Sequence, residues 1–191
     1  VAWRQDDTDR FAARHALRYY QELGAPDVVV VEDPRRGADR VRDLVVDASL
    51  VVLPGGSPSR LLDGLRAFGV DLAIAEALSR GAVVMGASAG AMVLCGKTVL
   101  PDRGGLLVEG LVLVPDLVVL PHFESRQAAR LHELRAGLDE DEVAVGIPEQ
   151  SGLLVDRRRI AAMGRSAPTL LGGRPLALAP GSEGLLGWEL G

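Results

Sequence analysis

Ser88 stands in Gly86-Ala87-Ser88-Ala89-Gly90, a G-x-S-x-G stretch between an apolar run, Ala82 to Met85, and the segment Ala89 to Leu94. The run before it reads as a strand, the segment after it as a helix. A serine between the two sits on a sharp turn, with small neighbours leaving room for its hydroxyl. The helix that begins at Ala89 points its free N–H groups at the same place, so the Ala89 N–H can stabilise an oxyanion. A second glycine-rich turn, Pro54-Gly55-Gly56-Ser57, follows the apolar run Leu50 to Leu53. Glycines there let a backbone approach a reacting group closely, which makes Gly56 the candidate for a second oxyanion donor.

A serine hydroxyl needs a base, and the base needs an acid to orient it. Of the histidines, His15 lies among arginines in a helical segment and His132 in a later helix, whereas His122 follows an apolar strand in Leu120-Pro121-His122-Phe123. Position at a strand end favours His122. Two acids are candidates for the third member, Glu149 in Gly146-Ile147-Pro148-Glu149 and Asp102 in Leu100-Pro101-Asp102-Arg103. Sequence alone places neither against His122.

These residues need a scaffold, and the chain alternates β-α-β-α-β. Helical spacing covers Thr8 to Leu23, with Gly24 as its stop. The β-branched run Asp27 to Val31 reads as a strand buried on both faces. Helix Ala38 to Val46, strand Leu50 to Leu53, a helical stretch from Pro58 to Arg80 broken near Gly69, strand Ala82 to Met85 and helix Ala89 to Leu94 follow. That order predicts a doubly wound, mostly parallel open α/β sheet. Beyond Leu100, Leu106 to Leu113 and Leu117 to Leu120 read as strands and Phe123 to Leu134 as a helix. Ser151–Val155, Ile160–Met163 and Pro175–Leu178 read as antiparallel strands finishing the sheet. Val1-Ala2-Trp3 reads as the tail of a strand. With no linker or repeat, residues 1–191 are expected to form one domain.

Taken together, Gly86 to Ala91, Pro54-Gly55-Gly56-Ser57, Pro121-His122-Phe123 and Gly146-Ile147-Pro148-Glu149 resemble the motifs of the dipeptidase E and cyanophycinase family of serine peptidases. That family shares its fold with class I glutamine amidotransferases. The order and spacing agree over nearly the whole chain. The resemblance implies a flavodoxin-like sheet, an acyl-enzyme on Ser88, His122 as base and Glu149 as acid. It implies short peptide substrates with an aspartyl residue on the acyl side, and hence a cation to receive the aspartyl carboxylate. Arg126 is the first candidate and Arg60 the second, with Ser57 beside them in substrate binding. Leu120 stands where cyanophycinases carry an acid, which points to the dipeptidase branch. The family's loop reads Gly-Gly-Gly-Asn where this chain has Pro-Gly-Gly-Ser.

Other chemistries fit less well. A glutamine amidotransferase needs cysteine at the elbow; Cys95, the only cysteine, lies two helical turns beyond it and reads as a small buried apolar residue. Gly96-Lys97-Thr98 is like the end of a P-loop, but Ala91 stands where its first glycine should be. An intrachain disulfide is impossible, and no metal site or cofactor is expected. The net charge of −5 disfavours nucleic acid. No apolar run spans a bilayer and no signal peptide is visible, so a cytoplasmic protein without membrane contact is expected. The expected partner is a small peptide substrate; a homodimer is left open. The rival from another class is an inactive member of the same fold that acts as a binding module.

Overall fold

The computed structural model describes residues 7–31, 34–124, 128–156, 159–171 and 183–185. Its contacts divide the chain into two compact units, Val1–Gly90 and Ala91–Gly191.

The first unit carries α1 (Asp7–Glu22), α2 (Ala38–Val46), β1 (Leu50–Leu53), α3 (Pro58–Ala67), α4 (Val70–Ser79) and β2 (Val83–Gly86). β1 and β2 pair in parallel, with Leu50 opposite Val83 and Leu53 opposite Gly86. Ser57 caps α3 by accepting the Arg60 N–H on its hydroxyl, and Pro58 opens the helix where no N–H is needed. The expected break at Gly69 is real: at φ 65 it occupies the left-handed region and starts α4. α3 buries Leu61, Leu62 and Leu65, and α4 buries Val70, Ile74 and Ala77.

One expectation fails here. Asp27 to Val31 forms no ladder with any described strand, and Val29 is exposed. β-branched residues favour extended backbone, but a strand exists only where a neighbour takes its hydrogen bonds. The run Val1-Ala2-Trp3 and the segment Pro175–Leu178 lie outside the described residues.

The second unit is built on β5 (Leu117–Pro121) and β6 (Val143–Ile147), a parallel pair, with β9 (Thr169–Leu171) antiparallel beside β6. Both faces of the pair are covered. Leu117, Val119, Val143 and Val145 pack with Cys95, Ile160 and Ala162 on one side. Val118, Leu120 and Ala144 pack with Met92, Val99, Phe123 and Leu138 on the other. Continuous apolar runs are what a doubly covered parallel pair requires.

β7 (Ser151–Asp156) and β8 (Arg159–Gly164) form the expected antiparallel hairpin, with β10 (Glu183–Leu185) at its edge. It does not finish the sheet. It is a separate sheet, and its Ile160 and Ala162 pack onto the face of β5 and β6. Three further corrections concern local signals. Lys97–Leu100 is a strand, β3, paired with β4 (Leu106–Glu109) through the turn that holds Pro101–Arg103. β4 ends at Glu109, short of the expected Leu113, and Gly110 then lies so close to Cys95 that a Cβ on it would stand 2.2 Å from the Cys95 carbonyl oxygen. The last helix, α6, runs over Ala128–Arg135 and does not begin at Phe123. No described helix is long and apolar enough to cross a membrane.

Candidate functional site

The candidate residues are shared between the two units, and each half has its own local logic. In the first unit, Ser88 lies between the last residue of β2 and the first of α5 (Ala89–Val93), with φ 51. A serine in the left-handed region costs on the order of 1–3 kcal/mol, and such outliers gather where function requires a fixed geometry. The surroundings enforce it. The Ala87 N–H donates to the Leu53 carbonyl at 2.9 Å, and the Gly90 N–H to the Ala87 carbonyl at 2.9 Å. Gly90 presses on β1 so closely that a Cβ would lie 2.1 Å from the Leu53 carbonyl oxygen. The second glycine of the G-x-S-x-G stretch is therefore a steric necessity of the turn.

The glycine loop comes to the same place. A Cβ on Gly55 would stand 3.2 Å from Ser88 Cβ and 3.7 Å from its Oγ. Gly55, the first of the glycine pair, is the residue that keeps the flank of Ser88 open. Gly56 follows at φ 136, and Ala89 is buried. The Ser57 hydroxyl accepts from the Arg60 N–H at 3.2 Å and lies 3.1 Å from Ser59 Oγ. It is committed to the start of α3, whereas the Arg60 side chain is exposed.

In the second unit, His122 follows the end of β5 with φ 54 and an exposed side chain. Its Nδ1 lies 2.5 Å from Glu149 Oε1. Of the two acids left open by the sequence, Glu149 is the one that meets the imidazole at this atom. Asp102 is exposed in the Pro101–Arg103 turn after β3. Phe123 sets the direction of His122. Its N–H donates to the Ile147 carbonyl at 3.0 Å, and its ring fills the space where a Gly146 Cβ would stand 2.4 Å from the ring carbon. This pinning is also why no helix begins at Phe123. Phe123 against Gly146 thus locks the ends of β5 and β6 together, and His122 and Glu149 both lie just beyond those ends.

The remaining candidates separate cleanly. His15 and His132 are exposed on α1 and α6. Arg126 lies outside the described residues. Cys95 is buried, its Sγ 3.3 Å from the Ala91 carbonyl oxygen, and burial pushes its thiol up to about 12. A thiol that stays protonated is no nucleophile. Lys97 Nζ is held by Glu142 Oε2 at 2.6 Å and Asp139 Oδ2 at 3.0 Å, so it serves two carboxylates of its own unit. Among the described residues, no three His, Cys, Asp or Glu side chains are grouped to hold a metal ion.

Residues 2–163 match the model of peptidase family S51. No curated protein matches the chain. The crystal structure of a peptidase from an acI-B1 Actinobacterium superposes with a TM-score of 0.77 at 24% identity, over 95% of this chain and 79% of that one. A structure of a putative peptidase E protein from Listeria monocytogenes EGD-e gives a TM-score of 0.54 at 18% identity, over 66% of this chain and 65% of the other. At such identities the likeness establishes the fold.

Proposed function

Because this chain belongs to peptidase family S51 and is a serine-type peptidase, we propose that Ser88 is its nucleophile and that short aspartyl peptides are its substrates. The observation that carries this reading is the left-handed backbone of Ser88 at the junction of β2 and α5. Ser88 Oγ attacks the carbonyl carbon, and its proton passes to His122 Nε2. The Nδ1–H of His122 donates to Glu149, which leaves Nε2 with the lone pair for that task. The N–H groups of Ala89 and Gly56 receive the oxyanion. Collapse breaks the C–N bond, and the imidazolium gives its proton to the departing amine. Water, deprotonated by the same imidazole, then hydrolyses the ester on Ser88.

An aspartyl carboxylate removed from water needs a cation, and arginine meets it with two parallel hydrogen bonds. Arg126 is the first choice for that role, by its place shortly after His122, and Arg60 the second.

A fluorophosphonate probe tests the nucleophile. Labelling is expected in the wild type and absent in Ser88→Ala, whose turnover should fall by about 10³-fold or more. A folded wild-type protein that takes no label would support a binding module. Specificity is tested with Asp-Leu and Ala-Leu. Arg126→Met should raise KM for Asp-Leu while leaving Ala-Leu unchanged. A wild type that cuts both equally well removes the aspartyl assignment and leaves Ser88 in place.

A further inference from the structure

The His122–Glu149 contact has little to hold it by itself. The two side chains are 58% and 73% exposed. An exposed pair of this kind contributes about 0–1 kcal/mol, and a free glutamate stem has many rotamers to choose from. A catalytic pair must be fixed far better than that, since a displacement of about 1 Å can cost 10²-fold in rate. The fixing has to come from the backbone that carries Glu149.

That backbone is clamped by the open end of the β7–β8 hairpin. Gln150, directly after Glu149, is left-handed at φ 56. Its carbonyl accepts the Arg165 N–H at 3.1 Å. Ser151 pairs with Gly164 at the last rung of the ladder. The Ser151 hydroxyl donates to the Glu149 carbonyl at 3.4 Å and accepts the Ser166 N–H at 3.0 Å. Gly164 has φ 103, and a Cβ on it would stand 2.2 Å from the Gln150 carbonyl oxygen and 2.6 Å from Ser151 Cα. Any other residue at 164 would push the turn away.

We infer that Ser151 and Gly164 are positioning residues, which lock the Glu149–Gln150 turn so that the Glu149 carboxylate stays on His122 Nδ1. Neither touches substrate; both act through Glu149. The separate hairpin sheet thereby gains a second task besides covering the β5–β6 face. The inference rests on the proposed role of Glu149.

The test compares Ser151→Ala, Gly164→Ala, Glu149→Gln and the double variant Ser151→Ala/Glu149→Gln in the full chain. Fluorophosphonate inactivation gives a limiting rate and an affinity, and proton NMR reads the downfield Nδ1–H resonance of His122. Ser151→Ala should lower the limiting rate by about tenfold with affinity unchanged. The same variant should weaken or broaden the Nδ1–H resonance. Gly164→Ala should do more of both; if it fails to fold, Ser151→Ala carries the test alone. The double variant should be no slower than Glu149→Gln, because the clamp has nothing left to hold. A Ser151→Ala that leaves rate and resonance as in the wild type overturns the clamp, as does a loss fully additive with Glu149→Gln. If Glu149→Gln labels at the wild-type rate while Ser151→Ala still disturbs the resonance, the clamp stands and the catalytic role of Glu149 falls.

Discussion

Among the described residues, five that are not glycine have left-handed backbone, and Ser88, His122 and Gln150 are three of them. Each costs stability and is tolerated only where its surroundings over-determine it. Gly55 and Gly90 do so for Ser88, Phe123 on Gly146 for His122, and Gly164 for Gln150. Other sites carry cost without such a return. Thr98 is fully buried in β3, and its Oγ1 has no hydrogen-bond partner among the described residues. An orphaned buried hydroxyl costs about 1–3 kcal/mol. Thr98→Val keeps the shape and removes the orphan, so it should raise Tm by about 2–4 °C. Calorimetry checks this, and an unchanged or lower Tm would mean the hydroxyl is satisfied. The same residues show what the sequence reveals locally. The turn at Ser88 was legible because five consecutive small residues between a strand and a helix announce it, although the Leu53 carbonyl that makes Gly90 necessary lies far off in sequence. The contact of His122 with Glu149 was not, because the two meet across 27 positions of chain. The need for glycine at 164 depends on Gln150, a neighbour in space that no local pattern announces.

At the scale of elements, helical spacing and glycine signals located the helices α1 to α4, including the break at Gly69. Pairing was less visible. The Val28 to Val31 run has the composition of a strand without a described partner, and the β7–β8 hairpin looks the same in sequence whether it extends a sheet or covers one. Lys97 illustrates a tie between elements. It reaches from β3 to Glu142 and Asp139, which precede β6. The hydrogen bond that Lys97 donates to Glu142, then the one it donates to Asp139, raises its pKa above the ordinary 10.5. A lysine raised in the folded state contributes fully below 10.5 and loses its contribution as pH climbs through the higher folded value. The Tyr20 phenol, raised by burial and then by Tyr19, weakens the fold over the same range. The difference between wild type and Lys97→Met isolates the lysine. Urea midpoints should differ at pH 8 and converge once the pH has climbed past the raised lysine value. A difference that persists there would mean that Lys97 acts through its methylenes instead of its charge.

For the molecule as a whole, family S51 fixes the type of chemistry, and serine chemistry has a consequence for metals. In the proposed mechanism the electrophile is activated by N–H groups, the nucleophile by an imidazole, and the second half-reaction uses plain water, so no step calls for a Lewis acid. The chain still carries 26 acidic residues against 21 basic ones, and such a surface collects divalent cations loosely. Added calcium or magnesium at millimolar levels would therefore act mainly by screening, and would change the rate no more than sodium chloride of equal ionic strength. Removal of metals should do still less. Activity against the best peptide found, and labelling by the fluorophosphonate, should survive prolonged dialysis against EDTA with the limiting rate within about twofold of the untreated enzyme. The informative control is recovery. Activity lost to EDTA and restored by zinc, in a protein whose fold is unchanged by circular dichroism, would mean that a metal takes part in the step assigned to Ser88, and the serine mechanism would have to be abandoned.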